Sequence, residues 1–569
     1  MRRNITPWKF LDEYKPSHFR GEWPTLPELF AISAERYPDR KCFSIYEPDN
    51  LFMTYTEAYQ AIVEVSNHLV KLGVKKGDRV ALTGKNSPEW TVGYLAILFA
   101  GGVVVPIDYQ LKDEEIAGLI QFSDAKVLLI DEEKHDTIGK DKALKLKETI
   151  SLSPKKEKYI LDIREAEHKD REQPEEKDLA AILYTSGTTG NQKGVMLTHK
   201  NFVSDCFLAQ AHMNLYPEDV FYALLPLHHS YTMLAVFIEA ISVGAEIVFA
   251  KKLVVKQILK DLKQGQVTMF LGIPMLFNKL LKGLLRGIRE KGVLVYGLIR
   301  GLMMFSGFIK KTFGVNPGKK MFNGILKKLS LDTNRICICG GGPLPSSTFG
   351  MFNQLGIDFV QGYGLTETSP ILTLNPVDHY KEKSVGKVIP QTEMRILDPD
   401  EDGNGEIIVK GPMVMQGYYH NEAATKEVFT EDGWFKTGDV GYLDTENYLY
   451  LTGRKKSLIV TEGGKNVFPE EIEDYFQLYE EIEQILVRGY MLDERMKTEG
   501  IEAVIYPNID FFLEKESDPF PREIIEERID SIIKEVNQEL LPYKRISRFE
   551  VLEEPMEMTT TKKIKRFKV

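Results

Sequence analysis

The chain has 569 residues, of which 43% are hydrophobic and 27% charged, and its formal net charge is −10. A single core stops growing near roughly 250–300 residues, so we expect at least two structural units. The acidic balance argues against a nucleic-acid-binding protein, and four scattered cysteines argue against a disulfide framework. Because neither an apolar leader nor a run of about eighteen uncharged apolar residues is found, we expect a cytosolic protein without a membrane span.

The first predicted elements alternate between strand and helix. RVALTG predicts a strand, Ser87 and Pro88 predict the start of a helix, and VVVPID predicts the next strand. The same order recurs in EEIAGLIQF and AKVLLID. This alternation indicates βαβ units and an α/β fold with a mostly parallel sheet. The charged segment 131–178 predicts a solvated surface with a loop.

A loop rich in glycine and hydroxyl residues follows the apolar run AAIL. In YTSGTTGNQKG, residues 184–194, bare backbone lies beside hydroxyls and one ammonium group, which suits a phosphate. The loop is not a Walker loop, because Lys193 comes three residues after Gly190 and is followed by Gly194. A turn that only connects two strands remains an alternative at this point.

Strands are also predicted at VFYALLPL, AEIVFA, ICICGG and IDFVQG. Between them, residues 283–330 carry ten Lys or Arg against one acidic residue, Glu290, in a segment rich in Met, Phe and Leu. In an acidic chain, a basic amphipathic segment of this kind indicates contact with an anionic membrane surface or amphiphile. The alternative is a pair of surface helices that pack on the core and keep their charges in water.

Two further loops carry polar groups that suit a nucleotide. QGYGLTETSP places Tyr363, Thr366 and Glu367 together, and a carboxylate beside hydroxyls is what a hard divalent cation prefers. The bare backbone of CGGGPLP suits a flat ring lying against the chain. In WFKTGDVGYLD, Asp439 can accept two hydrogen bonds from a ribose diol. Each of these segments alone is more typical of an ordinary turn or a solvated corner.

The last third of the chain changes its pattern twice. From Glu393 onwards, short strands with tight turns are predicted, as in GYLDTENYLYLTG. After GRKKSLIV, the segments NVFPEEIEDYFQLYEEIEQILVRGY and PREIIEERIDSIIKEVNQELL are predicted as helices that alternate with the strands EAVIYP and SRFEVLEE. We therefore expect a compact α+β unit of about a hundred residues at this end.

Taken in order, these segments resemble the adenylate-forming superfamily of acyl-CoA synthetases, luciferases and adenylation domains. The resemblance runs from about residue 25 to the end, through TSGTTGNQKG, LPLHHSY, GGGPLP, GYGLTET, GEIIVKGPMVMQGYY, WFKTGD, GRKKSLIVTEGGKNVFPEEIE and TTTKKIKR. It implies a reaction in which a carboxylate attacks the α-phosphate of ATP and a thiol then takes the acyl group. ATP, Mg²⁺ and coenzyme A are the implied cofactor and co-substrates.

The resemblance also implies roles for individual residues. The implied phosphate-binding residues are Thr185, Ser186, Gly187, Thr188, Thr189, Gly190 and Lys193. Thr185 and Glu367 are implied to hold Mg²⁺, Thr366 to contact the α-phosphate, and Asp439 and Arg454 to bind the ribose. The implied residues around the adenine are Gly340, Gly341, Gly342, Pro343, Gln361, Gly362, Tyr363 and Gly364.

The catalytic lysine implied by the resemblance is Lys563, in the ending KIKR. Lys562 replaces a glycine that is usual in the family, so Lys562 is the alternative to Lys563. His229 matches the family's histidine near the acyl or first-step site, although His228 precedes it where an aromatic is common. A structural role is the alternative for His229.

The implied architecture has two domains: 1–455, which is large, binds AMP and the acyl group, and includes a β-rich subdomain, and 456–569, which is a mobile α+β domain. The hinge is expected near Lys456, with Gly463 and Gly464 beside the pantetheine of CoA. The insert 283–330 resembles long-chain fatty acid:CoA ligases. Open alternatives are a ligase for medium-chain or aryl acids, a ligase that loads a carrier-protein thiol, and a non-catalytic nucleotide- or lipid-binding relic. The oligomeric state is not predicted.

Overall fold

The computed structural model describes residues 3–47, 50–166, 172–186, 192–251, 254–342, 344–461, 465–493, 498–513, 522–559 and 564–566. Up to residue 166 the helices are α1 (Leu26–Arg36), α2 (Tyr55–Lys71), α3 (Pro88–Phe99), α4 (Asp113–Phe122) and α5 (Glu132–His135). The strands of this part are β1 (Lys41–Ile45), β2 (Leu51–Thr54), β3 (Arg79–Thr83), β4 (Val103–Ile107), β5 (Val127–Ile130) and β6 (Glu148–Ser151). The predicted helix start is confirmed, because the Ser87 hydroxyl accepts a hydrogen bond from the Trp90 amide at 3.1 Å.

The middle of the chain continues this alternation. Its helices are α6 (His199–Gln210), α7 (Ser230–Thr232), α8 (Glu239–Val243), α9 (Val255–Gln264), α10 (Pro274–Arg289), α11 (Val293–Phe313), α12 (Gly318–Met321), α13 (Asn323–Lys328) and α14 (Ser346–Gln354). A π-helical turn, Met233–Ile238, joins α7 to α8. The strands are β7 (Leu179–Ser186), β8 (Gln192–Thr198), β9 (Val220–Ala223), β10 (Glu246–Phe249), β11 (Met269–Gly272) and β12 (Ile336–Cys339).

The last part is richer in strands. They are β13 (Asp358–Gly364), β14 (Ile371–Leu374), β15 (Gly386–Val388), β16 (Glu393–Leu397), β17 (Gly405–Lys410), β18 (Gly417–Tyr418), β19 (Phe435–Leu443), β20 (Tyr448–Arg454), β21 (Ile459–Val460), β22 (Asn466–Val467), β23 (Ile482–Asp493), β24 (Thr498–Pro507) and β25 (Arg548–Val551). The helices are α15 (Glu422–Val428), α16 (Pro469–Phe476), α17 (Ile509–Leu513) and α18 (Arg522–Glu539).

Two large mixed sheets organise the fold. A seven-stranded sheet has the order β18-β8-β7-β4-β3-β5-β6, and a thirteen-stranded sheet has the order β16-β17-β19-β20-β15-β14-β13-β12-β11-β9-β10-β1-β2. Strands β4, β3, β5 and β6 run parallel, as do β1, β10, β9, β11, β12 and β13. The arm β14, β15, β20, β19, β17 and β16 of the larger sheet pairs antiparallel. The predicted α/β class with parallel-rich sheets and a β-rich subdomain is confirmed.

The C-terminal part has a sheet and a core of its own. Strands β23, β24 and β25 form a three-stranded sheet. The apolar face of α18, which includes Ile529, Ile532 and Val536, packs with them in a separate buried cluster. We propose that this unit is the mobile domain 456–569.

Two sequence predictions were wrong in detail. The helix expected over 466–490 ends at Phe476, and Ile482–Asp493 forms β23, which pairs with β24 along most of its length. Pairing with a long neighbouring strand outweighs the helical propensity of this Glu-rich segment. The charged segment 131–178 was expected to be a loop, but its residues 148–151 form β6 at the edge of the seven-stranded sheet.

One helix of the described chain is long and apolar enough to cross a membrane, by length and composition alone. It is α11, and only 17% of its most apolar window is buried. The rule of about eighteen uncharged residues missed it because Arg300 interrupts the apolar run.

Candidate nucleotide-binding site

The predicted phosphate loop closes a β-hairpin. Strands β7 and β8 pair antiparallel and place Thr185 directly opposite Lys193. The predicted residues Gly187, Thr188, Thr189 and Gly190, and the side chain of Ser186, lie outside the described residues. The hairpin therefore brings the hydroxyl predicted to bind a cation and the ammonium predicted to bind phosphate to one place.

A tyrosine that the sequence analysis missed lies between Lys193 and Glu367. Because β18 pairs with β8, the centroid of the Tyr418 ring lies 4.7 Å from the Lys193 Nζ atom. The Tyr418 hydroxyl donates a hydrogen bond to Glu367 Oε1 at 2.9 Å. Burial, together with the Glu367 charge, raises the pKa of Tyr418, so the phenol keeps its proton and remains a donor. The signal was present in GEIIVKGPMVMQGYY, which contains Tyr418.

The loop after β13 is fixed by a close approach of the backbone. A Cβ atom on Gly364 would lie 1.6 Å from the Pro370 carbonyl oxygen, so only glycine fits there. In the 3₁₀ turn that follows, the Thr366 hydroxyl lies 3.1 Å from the Ser230 hydroxyl of α7. Ser230 is a second residue that the sequence analysis did not single out, although it belongs to LPLHHSY.

The predicted ribose residues form one connected group. Asp439 on β19 and Arg454 on β20 are direct cross-strand partners, and their Oδ1 and Nε atoms lie 3.1 Å apart. The Tyr363 hydroxyl donates to Asp439 Oδ2 at 2.7 Å. The nearby Asp439 charge holds the pKa of Arg454 above its usual value, and burial raises the pKa of Tyr363. The structure thus places the Asp439 carboxylate in contact with both the Arg454 guanidinium and the Tyr363 hydroxyl.

A shelf of bare backbone lies after β12. A Cβ atom on Gly340 would approach the Tyr231 ring to 2.9 Å, and Gly341 has a φ of +82°, which favours glycine. Gln361 on β13 pairs with Cys339 of the adjacent strand, so the two predicted adenine segments are neighbours. Gly342 and Gly362 line the same cleft, and Pro343 lies outside the described residues.

The two histidines of LPLHHSY pack against each other near a carboxylate. Their ring centroids are 4.3 Å apart, and His228 Nε2 lies 3.6 Å from Asp108 Oδ2. Ligand atoms of Asp108, His228 and His229 all lie within 4.8 Å of one another. His229 is the residue immediately before α7, which carries Ser230.

A family model described as AMP-binding enzyme matches residues 30–419. The chain belongs to the AMP-binding enzyme family. This family member is similar to a long-chain-fatty-acid–CoA ligase from Mycobacterium bovis, with 32% identity over 77% of this chain and 75% of the relative. It is also similar to a 2-succinylbenzoate–CoA ligase from Bacillus cereus, with 29% identity over 83% and 86% of the two chains.

Among solved structures, this AMP-binding enzyme is similar to ATP-bound MatB from Rhodopseudomonas palustris. The identity is 26%, the TM-score is 0.75, and the match covers 95% of this chain and 98% of MatB. The match therefore extends over both large sheets and the C-terminal unit. The family model and the two related CoA ligases support an adenylate-forming acid–CoA ligase activity.

In this AMP-binding enzyme the C-terminal segment is anchored beside the predicted catalytic lysine. Arg566 pairs with Glu473 of α16 at 2.5 Å and donates to the Val487 carbonyl oxygen at 3.0 Å. Burial raises the pKa of Glu473 to about 7, although the Arg566 charge opposes the shift. Lys562, Lys563, Gly463 and Gly464 lie outside the described residues, whereas Lys456 lies in the 3₁₀ turn Lys455–Ser457 directly after β20.

These groups share one cleft with a volume of about 3170 Å³. Its walls include Thr185, Lys193, Glu367, Asp439 and Arg454 from the large part of the molecule. The opposite wall includes Glu470, Glu473, Ile564, Lys565 and Arg566 from the C-terminal unit. Helix α10 forms another wall. The cleft is thus continuous from the nucleotide residues to the C-terminal segment and to a helix that begins the basic insert.

Proposed function

We propose that this AMP-binding enzyme activates a fatty acid, of long chain, in two steps. The carboxylate attacks the α-phosphorus of ATP, which forms an acyl-adenylate and releases pyrophosphate. The thiol of CoA then attacks the acyl carbon, which forms acyl-CoA and releases AMP. The observation that carries the proposal is the single cleft in which Lys193 and Glu367 meet at Tyr418, alongside the Tyr363, Asp439 and Arg454 group.

Both steps place negative charge on oxygen, and the described residues supply compensating groups. Lys193, at the end of the phosphate hairpin, would neutralise the leaving pyrophosphate, and Thr366 would donate to the α-phosphate. Asp439 would accept hydrogen bonds from the ribose hydroxyls, with Arg454 holding the carboxylate in place. Positioning and charge are sufficient for phosphoryl chemistry of this kind, without a covalent nucleophile.

The donor set fits a magnesium ion. Glu367 offers a carboxylate and Thr185 a hydroxyl, and these are hard oxygen ligands of the kind that Mg²⁺ prefers. Glu367 is oriented by the Tyr418 hydroxyl at 2.9 Å, and Thr185 is oriented by its strand position opposite Lys193. A bound ion would supply positive charge to the phosphate oxygens.

The C-terminal unit would contribute a mobile cation. Arg566 is anchored to Glu473 and to the Val487 carbonyl oxygen, so the described residues 564–566 have a fixed place on the cleft wall. We propose that Lys563 neutralises the carboxylate during the first step, that the unit turns about Lys456, and that Gly463 and Gly464 then lie along the pantetheine of CoA.

Support for a long acyl chain comes from the cleft wall and from the relative in Mycobacterium bovis, which is a long-chain ligase. Leu276, Leu280 and Leu284 of α10 line the cleft on the side where the insert begins. Each CH₂ group that a longer acid buries there contributes about 0.8 kcal/mol.

A second candidate is an acid that carries a hydrogen-bond donor, such as a hydroxylated aliphatic or aryl acid. Glu239, at the start of α8, lines the same cleft, is fully buried, and has no hydrogen-bond partner for either carboxylate oxygen among the described residues. Burial raises the pKa of Glu239 well above its usual value. A buried acceptor of this kind gains most from a donor on the substrate.

The test measures CoA-dependent AMP formation with ATP, Mg²⁺ and one acid at a time. The panel is acetate, octanoate, palmitate, 12-hydroxylaurate and benzoate. We expect palmitate to give the highest kcat/KM, at least about tenfold above octanoate, because it buries more CH₂ groups. Preference for 12-hydroxylaurate, abolished in Glu239→Leu, would favour the second candidate. AMP formation without any acyl-CoA would contradict CoA as the acceptor.

A further inference from the structure

The helix α11 presents an apolar face to solvent. Leu294, Leu298, Phe305 and Phe308 recur at helical spacing on one side, and Leu294 is 90% exposed and Leu298 66% exposed. The opposite side packs on the core through Met303, Ser306 and Lys310, which are buried. A helix that turns a row of large apolar side chains to solvent is unusual in a protein surrounded only by water.

The side of α11 that packs on the core determines the orientation in which the helix can contact a membrane. The Lys310 ammonium is buried, donates to Asn353 Oδ1 at 2.8 Å and pairs with Asp358 Oδ1 at 2.7 Å. Leaving the core would strip a buried cation of these partners, so the C-terminal half of α11 is held against α14 and β13. It therefore lies on the protein surface and can enter a bilayer only side-on, with its exposed face.

The charges around this face are almost all positive. Residues 283–330 carry ten basic side chains against Glu290, in a chain whose net charge is −10. Exposed examples are Lys291, just before α11, and Lys311, near its end. Long basic side chains at the border of an apolar face reach lipid headgroups while the apolar residues enter the acyl region. The complementary partner is therefore an anionic lipid surface.

We propose that the exposed face of α11, with its basic border, docks this protein on an anionic phospholipid bilayer. Helix α11 packs against α10, whose Leu276, Leu280 and Leu284 line the cleft. A fatty acid dissolved in the bilayer would then enter the cleft along α10. This delivery route rests on the proposed function, whereas the docking itself needs neither ATP nor an acid.

The test is cosedimentation of the full chain with vesicles, without nucleotide or acid. We expect binding to vesicles that contain phosphatidylglycerol, much weaker binding to phosphatidylcholine alone, and release at high salt. Leu298→Glu should weaken binding at least about tenfold, because a leucine that would enter the acyl region of the bilayer is replaced by a charge. Lys291→Gln and Lys311→Gln should each weaken it about fivefold.

The matched control is Leu541→Glu, which changes a leucine that is 55% exposed and lies outside the insert. It should bind vesicles as the unchanged protein does. Acid-dependent ATP–pyrophosphate exchange with octanoate in vesicle-free buffer checks that Leu298→Glu is folded. If the unchanged protein also shows no ATP–pyrophosphate exchange, that result contradicts the proposed function but not the docking proposal.

Three results would overturn the docking proposal. The unchanged protein could stay in the supernatant with every vesicle, or bind both compositions equally at low and high salt. Alternatively, light scattering could show a dimer that Leu298→Glu dissociates while vesicle binding is unchanged. This last result would assign the face to a second copy of the chain.

Discussion

At the scale of single residues, Tyr418 explains how the cleft tolerates opposite charges before a nucleotide arrives. Its ring lies against the Lys193 ammonium and its hydroxyl donates to Glu367. The phenol thus separates a cation meant for phosphate from a carboxylate meant for a metal ion. A direct ion pair between the two would have to break before ATP could bind, and Tyr418 avoids that cost.

Among the glycines of the described residues, Gly364 is the one at which an added Cβ atom would come closest to another atom. A Cβ atom there would lie 1.6 Å from the Pro370 carbonyl oxygen, which belongs to the backbone and cannot swing away. We expect Gly364→Ala to lower the free energy of unfolding by about 2–3 kcal/mol through overpacking. Urea unfolding followed by fluorescence measures the change.

The matched control for this substitution is Gly118→Ala in α4, where an added Cβ atom meets nothing within 4 Å. Because alanine favours a helix over glycine, this variant should gain about 0.5–1 kcal/mol. Equal stability losses in the two variants would show that the close approach at Pro370 is not the cause.

At the scale of elements, the contact of Arg566 with Glu473 of α16 holds the C-terminal segment in place. We expect Arg566→Ala to slow acid-dependent ATP–pyrophosphate exchange about 10- to 100-fold, because loss of the pairs with Glu473 and Val487 frees the chain next to Lys563. ATP affinity, measured by calorimetry, should stay unchanged because Arg566 positions the lysine and does not bind nucleotide.

Arg522→Ala is the control for the anchor. Arg522 also lies in the C-terminal unit and pairs with Glu526 and Glu553, but on the exposed surface of α18. Exposed pairs contribute little, so the exchange rate should remain close to that of the unchanged protein. If Arg522→Ala slowed exchange as much as Arg566→Ala, the effect would come from general loss of stability.

The sequence predicted an element correctly where neighbouring residues alone determine its structure. Ser87 and Pro88 marked the start of α3 because a cap needs only neighbouring residues. The helix predicted over Ile482–Asp493 was wrong because this segment forms a strand by pairing with β24, which lies later in the chain. Tyr418 was missed for the same reason, since only the pairing of β18 with β8 brings it to Lys193.

At the scale of the whole molecule, two mixed sheets and a C-terminal unit enclose one cleft. We propose that the unit turns about Lys456 between the two steps. Lys456→Pro fixes φ and removes a backbone N–H at that point. It should slow acyl transfer to CoA at least about tenfold while acid-dependent ATP–pyrophosphate exchange stays within about twofold.

Lys456→Ala is the comparison, because it removes the side chain and leaves the backbone free to turn. It should slow acyl transfer less than Lys456→Pro does. Equal slowing of both half-reactions by Lys456→Pro would place the turning point elsewhere in the chain.

The measurement that tests the central claim most directly is the fate of ATP in the presence of Mg²⁺, palmitate and CoA. The account predicts that purified protein releases pyrophosphate and AMP in amounts equal to the acyl-CoA formed, and that omission of palmitate stops both. Release of ADP and phosphate, or no nucleotide product with any acid of the panel, would contradict it.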